Sequence, residues 1–205
     1  MTASRRPAAA LVLGLVLAAG IGLGFGARSA FLPPNAEPAS PSTHLVSADP
    51  RGLVLQPADV PAEYTIYEDS NASDPGQTHP RARYAVVVTR QAAPRYLTES
   101  GVNVYADQDL AAQALRKLLG AGKFGTELPM RGTLGNEARL YAAKDKGLVV
   151  ASALWRDRNV VAFIFVYNPY PESLAEPEVD RLARANAYDD ALGLAFAVEE
   201  HVKKA

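Results

Sequence analysis

The chain contains no cysteine. That removes disulfides, thiolate catalysis, Cys-based zinc sites and a lipid-modified N-terminal cysteine together. It also lacks an excess of either charge: 21 Lys and Arg stand against 22 Asp and Glu, for a formal net charge of -1. With no basic stripe and no interleaved aromatics, nucleic acid is not an expected partner. Histidine is scarce, and His44, His79 and His201 fall far apart. Only His201 has carboxylates beside it, Glu199 and Glu200, and that group reads as a solvated helix end rather than a metal site. Asp107-Gln108-Asp109 resembles the start of a calcium loop but lacks the later Gly and Glu. G-x-S-x-G, S-x-x-K, H-E-x-x-H and P-loop patterns are all missing. No catalytic residue, metal ligand or cofactor is therefore assigned, and an enzyme is not expected.

What is present is a globular composition, 48% apolar and 21% charged over 205 residues, enough for one ordinary domain plus extras. Residues 1–30 read as a membrane anchor. Arg5 and Arg6 precede the uncharged run Ala8 to Ala27, whose roughly 20 residues suffice to cross a hydrocarbon core. A cleaved signal peptide is the rival reading, but no A-x-A-like site follows the run. No Lys or Arg occurs between Arg28 and Arg51, so the positive-inside rule puts the N-terminus in the cytoplasm and the remainder outside it. Gly20 with Gly24, and Gly22 with Gly26, have the spacing that lets two membrane helices approach closely, a route to a homodimer. A Gly-tolerant membrane helix is the plainer explanation. Residues 31–50, rich in Pro, Ser and Ala, read as a spacer from the bilayer, and residues 51–205 as the exported domain.

Within that domain Tyr64 to Glu68, Arg83 to Arg90 and Val102 to Tyr105 read as strands. Asp107 caps an amphipathic helix that ends at Gly120. After a Gly-rich connection, Asn136 to Ala143 is a strand feeding Gly147 to Asn168, a hairpin broken by Arg156-Asp157-Arg158-Asn159. A turn centred between Asp157 and Arg158 would pair Leu154 with Val161, Ser152 with Phe163, Val150 with Phe165 and Leu148 with Tyr167. That face is bulky and aromatic. The opposite one carries Trp155, Val149, Ile164 and several alanines, which lets helices come close. Asn168-Pro169-Tyr170-Pro171 stops the last strand, and a helix from Pro177 or Glu178 runs to about Lys203, acidic at its start and basic at its end. The expected fold is α+β: an antiparallel sheet centred on hairpin 147–168, with the two main helices packed on one face.

Phe163, Phe165, Tyr167 and Tyr105 are the candidate ligand-binding residues, as the lining of an apolar groove. Their alternative is a plain sheet core beneath helices.

The anchor, the Pro/Ser spacer, the strand followed by the Asp107 to Leu119 helix, the Leu134-Gly135-Asn136-Glu137-Ala138 turn and the stretch Arg156 to Ala162 together resemble poorly characterised, membrane-anchored exported domains of bacteria. They are also loosely similar to the sensor ectodomains of membrane-bound serine/threonine kinases. The resemblance implies a non-catalytic, extracytoplasmic binding or sensor-like module of the cell envelope, taking an envelope protein as partner. A carrier of an apolar small molecule or lipid is the alternative, and a hydrolase the third reading.

Overall fold

The computed structural model describes residues 44–69, 79–90, 96–145 and 147–205. The expected anchor, its Gly20 and Gly24 pair and most of the spacer lie outside the described residues. Among the described residues no helix is long and apolar enough to cross a membrane.

Seven strands build one sheet: β1 (Tyr64–Glu68), β2 (Ala82–Arg90), β3 (Tyr96–Val104), β4 (Thr126–Leu128), β5 (Glu137–Asp145), β6 (Leu148–Asp157) and β7 (Val160–Pro169). Their order is β1-β2-β3-β7-β6-β5-β4, with every neighbouring pair antiparallel. Two meanders thus join where β7 lies against β3, and hairpin β6-β7 occupies the middle, as expected. The α+β class holds.

The hairpin turn falls one residue later than the sequence suggests. Asp157 pairs with Val160, leaving Arg158 and Asn159 as the two-residue loop. Arg158 sits at φ 51°, the left-handed region that tight hairpin turns require, and Asn159 is fixed from outside the hairpin. Its Oδ1 accepts from the Val46 amide at 2.7 Å, while its Nδ2 donates to the carbonyls of Val46 at 3.0 Å and Tyr105 at 2.8 Å. Leu154 therefore faces Phe163 and Ser152 faces Phe165. A two-residue displacement keeps every side chain on its face, because strand side chains alternate with period two.

β3 begins well before the expected Val102. Its first half hides from a pattern search because Thr98 and Ser100 point into the core, fully buried, and Gly101 follows. Ser100 Oγ accepts from the Leu55 amide at 3.2 Å. Gly101 makes room for the Phe163 ring opposite: a Cβ there would lie 2.2 Å from it.

The small-residue face is closed. One helical rod covers it, α2 (Glu176–Ala185), a wider π turn (Asn186–Ala191) and α3 (Leu192–Lys204). Ala187, Ala191, Leu192, Ala195, Val198 and Val202 pack on Ala151, Ala153, Trp155, Ala162, Ile164 and Val166. The π turn carries buried Asn186, whose Nδ2 donates to the Val166 carbonyl at 3.2 Å and whose Oδ1 accepts from Asn168 Nδ2 at 2.5 Å. Beyond the rod, Leu53, Val54, Leu55 and Val46 complete the same core with Val86, Val88, Val102 and Val104. Val46, although inside the expected 31–50 spacer, is built into the domain.

The first helix, α1 (Gln108–Ala121), lies on the other side of the sheet. Asp107 caps it as expected, with Oδ1 accepting from the Leu110 amide at 2.7 Å. Its apolar stripe of Ala111, Ala114, Leu115 and Leu118 packs with Tyr105, Leu154 and Val161 on the aromatic face. Of the two main helices, only the C-terminal one is on the small-residue face. The division follows from a hairpin that is apolar on both sides and must shed water on both.

Candidate functional site

The register lines up two rows of side chains on the aromatic face. One runs Tyr67, Val87, Glu99, Phe165, Ser152, Tyr141 and Glu127 from edge to edge, and beside it run Thr65, Thr89, Leu97, Tyr167, Val150 and Ala143. α1 covers only part of this surface. The cluster beneath it reaches Phe163, Phe165, Tyr141 and Phe124 but not Tyr167, Leu97, Val87 or Tyr67. Tyr67 keeps 50% of its surface exposed and Leu97 37%, while Phe163, Phe165, Tyr167 and Val87 are half-buried. The result is an apolar trough beside α1, open towards β1. The rings at its α1 side touch: Phe163 and Phe165 centroids are 5.2 Å apart, Phe165 stacks with Phe124 at 6.1 Å, and Phe124 meets Tyr141 at 5.4 Å.

A single carboxyl interrupts the trough. Glu99 lies between Val87 and Phe165 in the first row and accepts the Tyr167 hydroxyl. Partial burial and the nearby Asp69 charge hold the Glu99 carboxyl above the usual carboxylate range, against the hydrogen bond from Tyr167. The same pairing, with burial first, pushes the Tyr167 hydroxyl up as well. Tyr141 is raised by burial and by Glu127.

Three of the four predicted site residues come together here, since Phe163, Phe165 and Tyr167 alternate along β7 on one face. Tyr105 does not join the open part. It is buried beneath α1, at the hairpin-turn end of the sheet. Trp155 faces the other way, as its alternation with Leu154 requires. Tyr67, Leu97, Glu99, Phe124 and Tyr141 were not foreseen. Their common signal is only the cross-strand register, which a sequence does not state for strands far apart in the chain.

A second polar group sits at the hairpin turn on the helix side. Trp155 Nε1 donates to Glu199 Oε2 at 2.8 Å, and Glu199 Oε1 is buried without a hydrogen-bond partner. Burial, and then Asp157, push the Glu199 carboxyl up to about 7, against the Trp155 hydrogen bond, the Lys203 charge and the Gly135 backbone N–H. Asp157 is itself paired with Arg158 at 3.0 Å, and Arg158 donates to the Val202 carbonyl. Glu199 is thus an interior residue, not part of a solvated helix end. Its neighbour His201 is tied to Asp59 at 2.8 Å, joining α3 to the segment before β1. Among the described residues no group of three or more His, Cys, Asp or Glu is placed to hold a metal.

No protein-family model matches the chain, and no curated protein matches it. Among solved structures it is similar to the extracellular domain of PknH from Mycobacterium tuberculosis, with a TM-score of 0.52 and 14% identity. The alignment covers 80% of this chain and 100% of that one. The likeness is one of fold.

Proposed function

We propose that the chain is a membrane-anchored, extracytoplasmic binding module of sensor type, non-catalytic, whose ligand surface is the open part of the aromatic face. One observation carries the reading: helices and the 44–61 segment close one face of the sheet, whereas on the other, among the described residues, a largely apolar strip from Phe165 and Tyr167 to Tyr67, broken by Glu99, stays half-exposed. Contiguous apolar surface of this kind marks binding sites on soluble domains. The fold-level likeness to an extracellular domain supports the exported location, as do Arg5, Arg6 and the uncharged run Ala8 to Ala27.

Two measurements test it. Protease added to intact spheroplasts should digest the domain, and protection until lysis would overturn the location. Native mass spectrometry of protein purified from its own host reports on the surface. A near-stoichiometric lipid would turn the module into a carrier, and Phe165→Ser should then abolish retention.

A further inference from the structure

The trough is not uniformly apolar, and the exception bears on what it takes. Glu99 stands in the middle of the row from Tyr67 to Phe165, with Tyr167 as its hydrogen-bond donor. Among the described residues, the groups that shift its carboxyl are Asp69 and Tyr167. Among the described strand residues, basic side chains on this face lie elsewhere or are engaged. Arg83 is four positions along β2 from Val87, the residue beside Glu99, which at strand rise is about 13 Å. Arg139 is paired with Glu127 at 3.4 Å and Glu137 at 3.6 Å.

We propose that the trough binds an organic cation with an apolar body, the ammonium group seated at Glu99 and the body laid over the rings of Phe165, Tyr167 and Tyr67. This rests on the reading of the trough as the ligand surface and names its chemistry. Three physical terms act in one direction. A cation at Glu99 meets a carboxylate already destabilised by partial burial and by Asp69, so its arrival relieves both. Ring faces of Tyr and Phe attract a cation through their quadrupoles, and the half-exposed apolar surface beside them is removed from water. A neutral ligand gains only the last of these. An anion meets repulsion from Glu99.

The test uses three soluble ligands with one body: 4-phenylbutylamine, 4-phenylbutanol and 4-phenylbutyrate. They are titrated against the full chain in nanodiscs of zwitterionic lipid at neutral pH, following the NMR signals of Tyr67, Leu97, Phe165 and Tyr167. The amine should saturate with a Kd at least tenfold below that of the alcohol, and the acid should bind more weakly than either. Glu99→Gln, which keeps an acceptor for Tyr167, should bring the amine to within about threefold of the alcohol while leaving the alcohol unchanged. Equal binding of all three, or preference for the acid, overturns the cation while the surface stands. Amine binding that Glu99→Gln does not weaken also overturns it. Failure of all three ligands to move those signals overturns the surface itself.

Discussion

Glu199 keeps its carboxyl in the interior, with Trp155 donating to Oε2 and the Gly135 backbone N–H beside it. With its titration pushed up to about 7, the folded protein retains a proton that the unfolded chain releases near 4.3. The folded state therefore binds more protons between those values, and this group's stabilisation is complete below about pH 4, shrinking as pH rises to about 7 and flat beyond it. Ionisation costs on the order of 3 kcal/mol. Urea denaturation from pH 4.5 to 8 should show wild type losing stability relative to Glu199→Gln across that window. Equal pH profiles would mean that the interior accommodates the charge.

Asn159 makes a second argument at the same scale. Its amide satisfies the N–H and C=O of Val46 and the C=O of Tyr105, all from one side chain. Asn159→Ala leaves these buried groups to find other partners, and should destabilise the domain by about 2 to 4 kcal/mol. The loss is read as a lower urea midpoint, with early proteolysis near Val46. A loss under about 0.5 kcal/mol would show that water replaces the amide. None of this was legible in the sequence: Asn159 read as one residue of a polar break, because its three bonds reach 113 and 54 positions away.

Among elements, β6 and β7 pair with each other and with a strand on their outer sides, so none of their main-chain groups face an edge. Hydrogen exchange should be slowest from Gly147 to Asn168 and fastest in β1 and β4, the two edge strands. The hairpin, its two faces and the capped helix were legible because each is local, with alternation or helical spacing inside a single stretch. β3 was only half legible. Thr98, Ser100 and Gly101 break its alternation, and two of the three are explained by something distant, Leu55 for Ser100 and Phe163 for Gly101. Gly101→Val should push the Phe163 ring off its seat and cost on the order of 1 to 3 kcal/mol. A neutral effect by thermal denaturation would show that the ring rotates away freely.

For the whole molecule, the sequence predicted covering of a sheet but not which helix would cover what. Both faces of the central hairpin are apolar, and sequence alone does not say where a 14-residue helix such as α1 stops on a sheet seven strands wide. At 1.5 Å per residue it spans only about 21 Å. The uncovered remainder, with Tyr67, Leu97 and Glu99, follows from that shortfall. Phe165→Ala should accordingly cost less stability than Leu154→Ala, since Leu154 is fully buried and Phe165 half-exposed. Leu154→Ala should cost about 3 kcal/mol or more, and calorimetry of the two variants checks the order. Equal losses would mean that the trough is part of the packed core.

The bonds between Val46 and Asn159 join the incoming chain to the turn end of the central hairpin, whereas Tyr167 and Leu97 lie towards the opposite end of the strands. Asn159 and Tyr167 stand eight positions apart, about 26 Å along the strand. A pull exerted between the chain before Val46 and anything gripped at Tyr167 therefore runs parallel to the strands. It loads the ladder bonds of β3, β7 and β6 in shear, all at once, instead of peeling them open one by one. That is the direction of force in which an antiparallel sheet yields last.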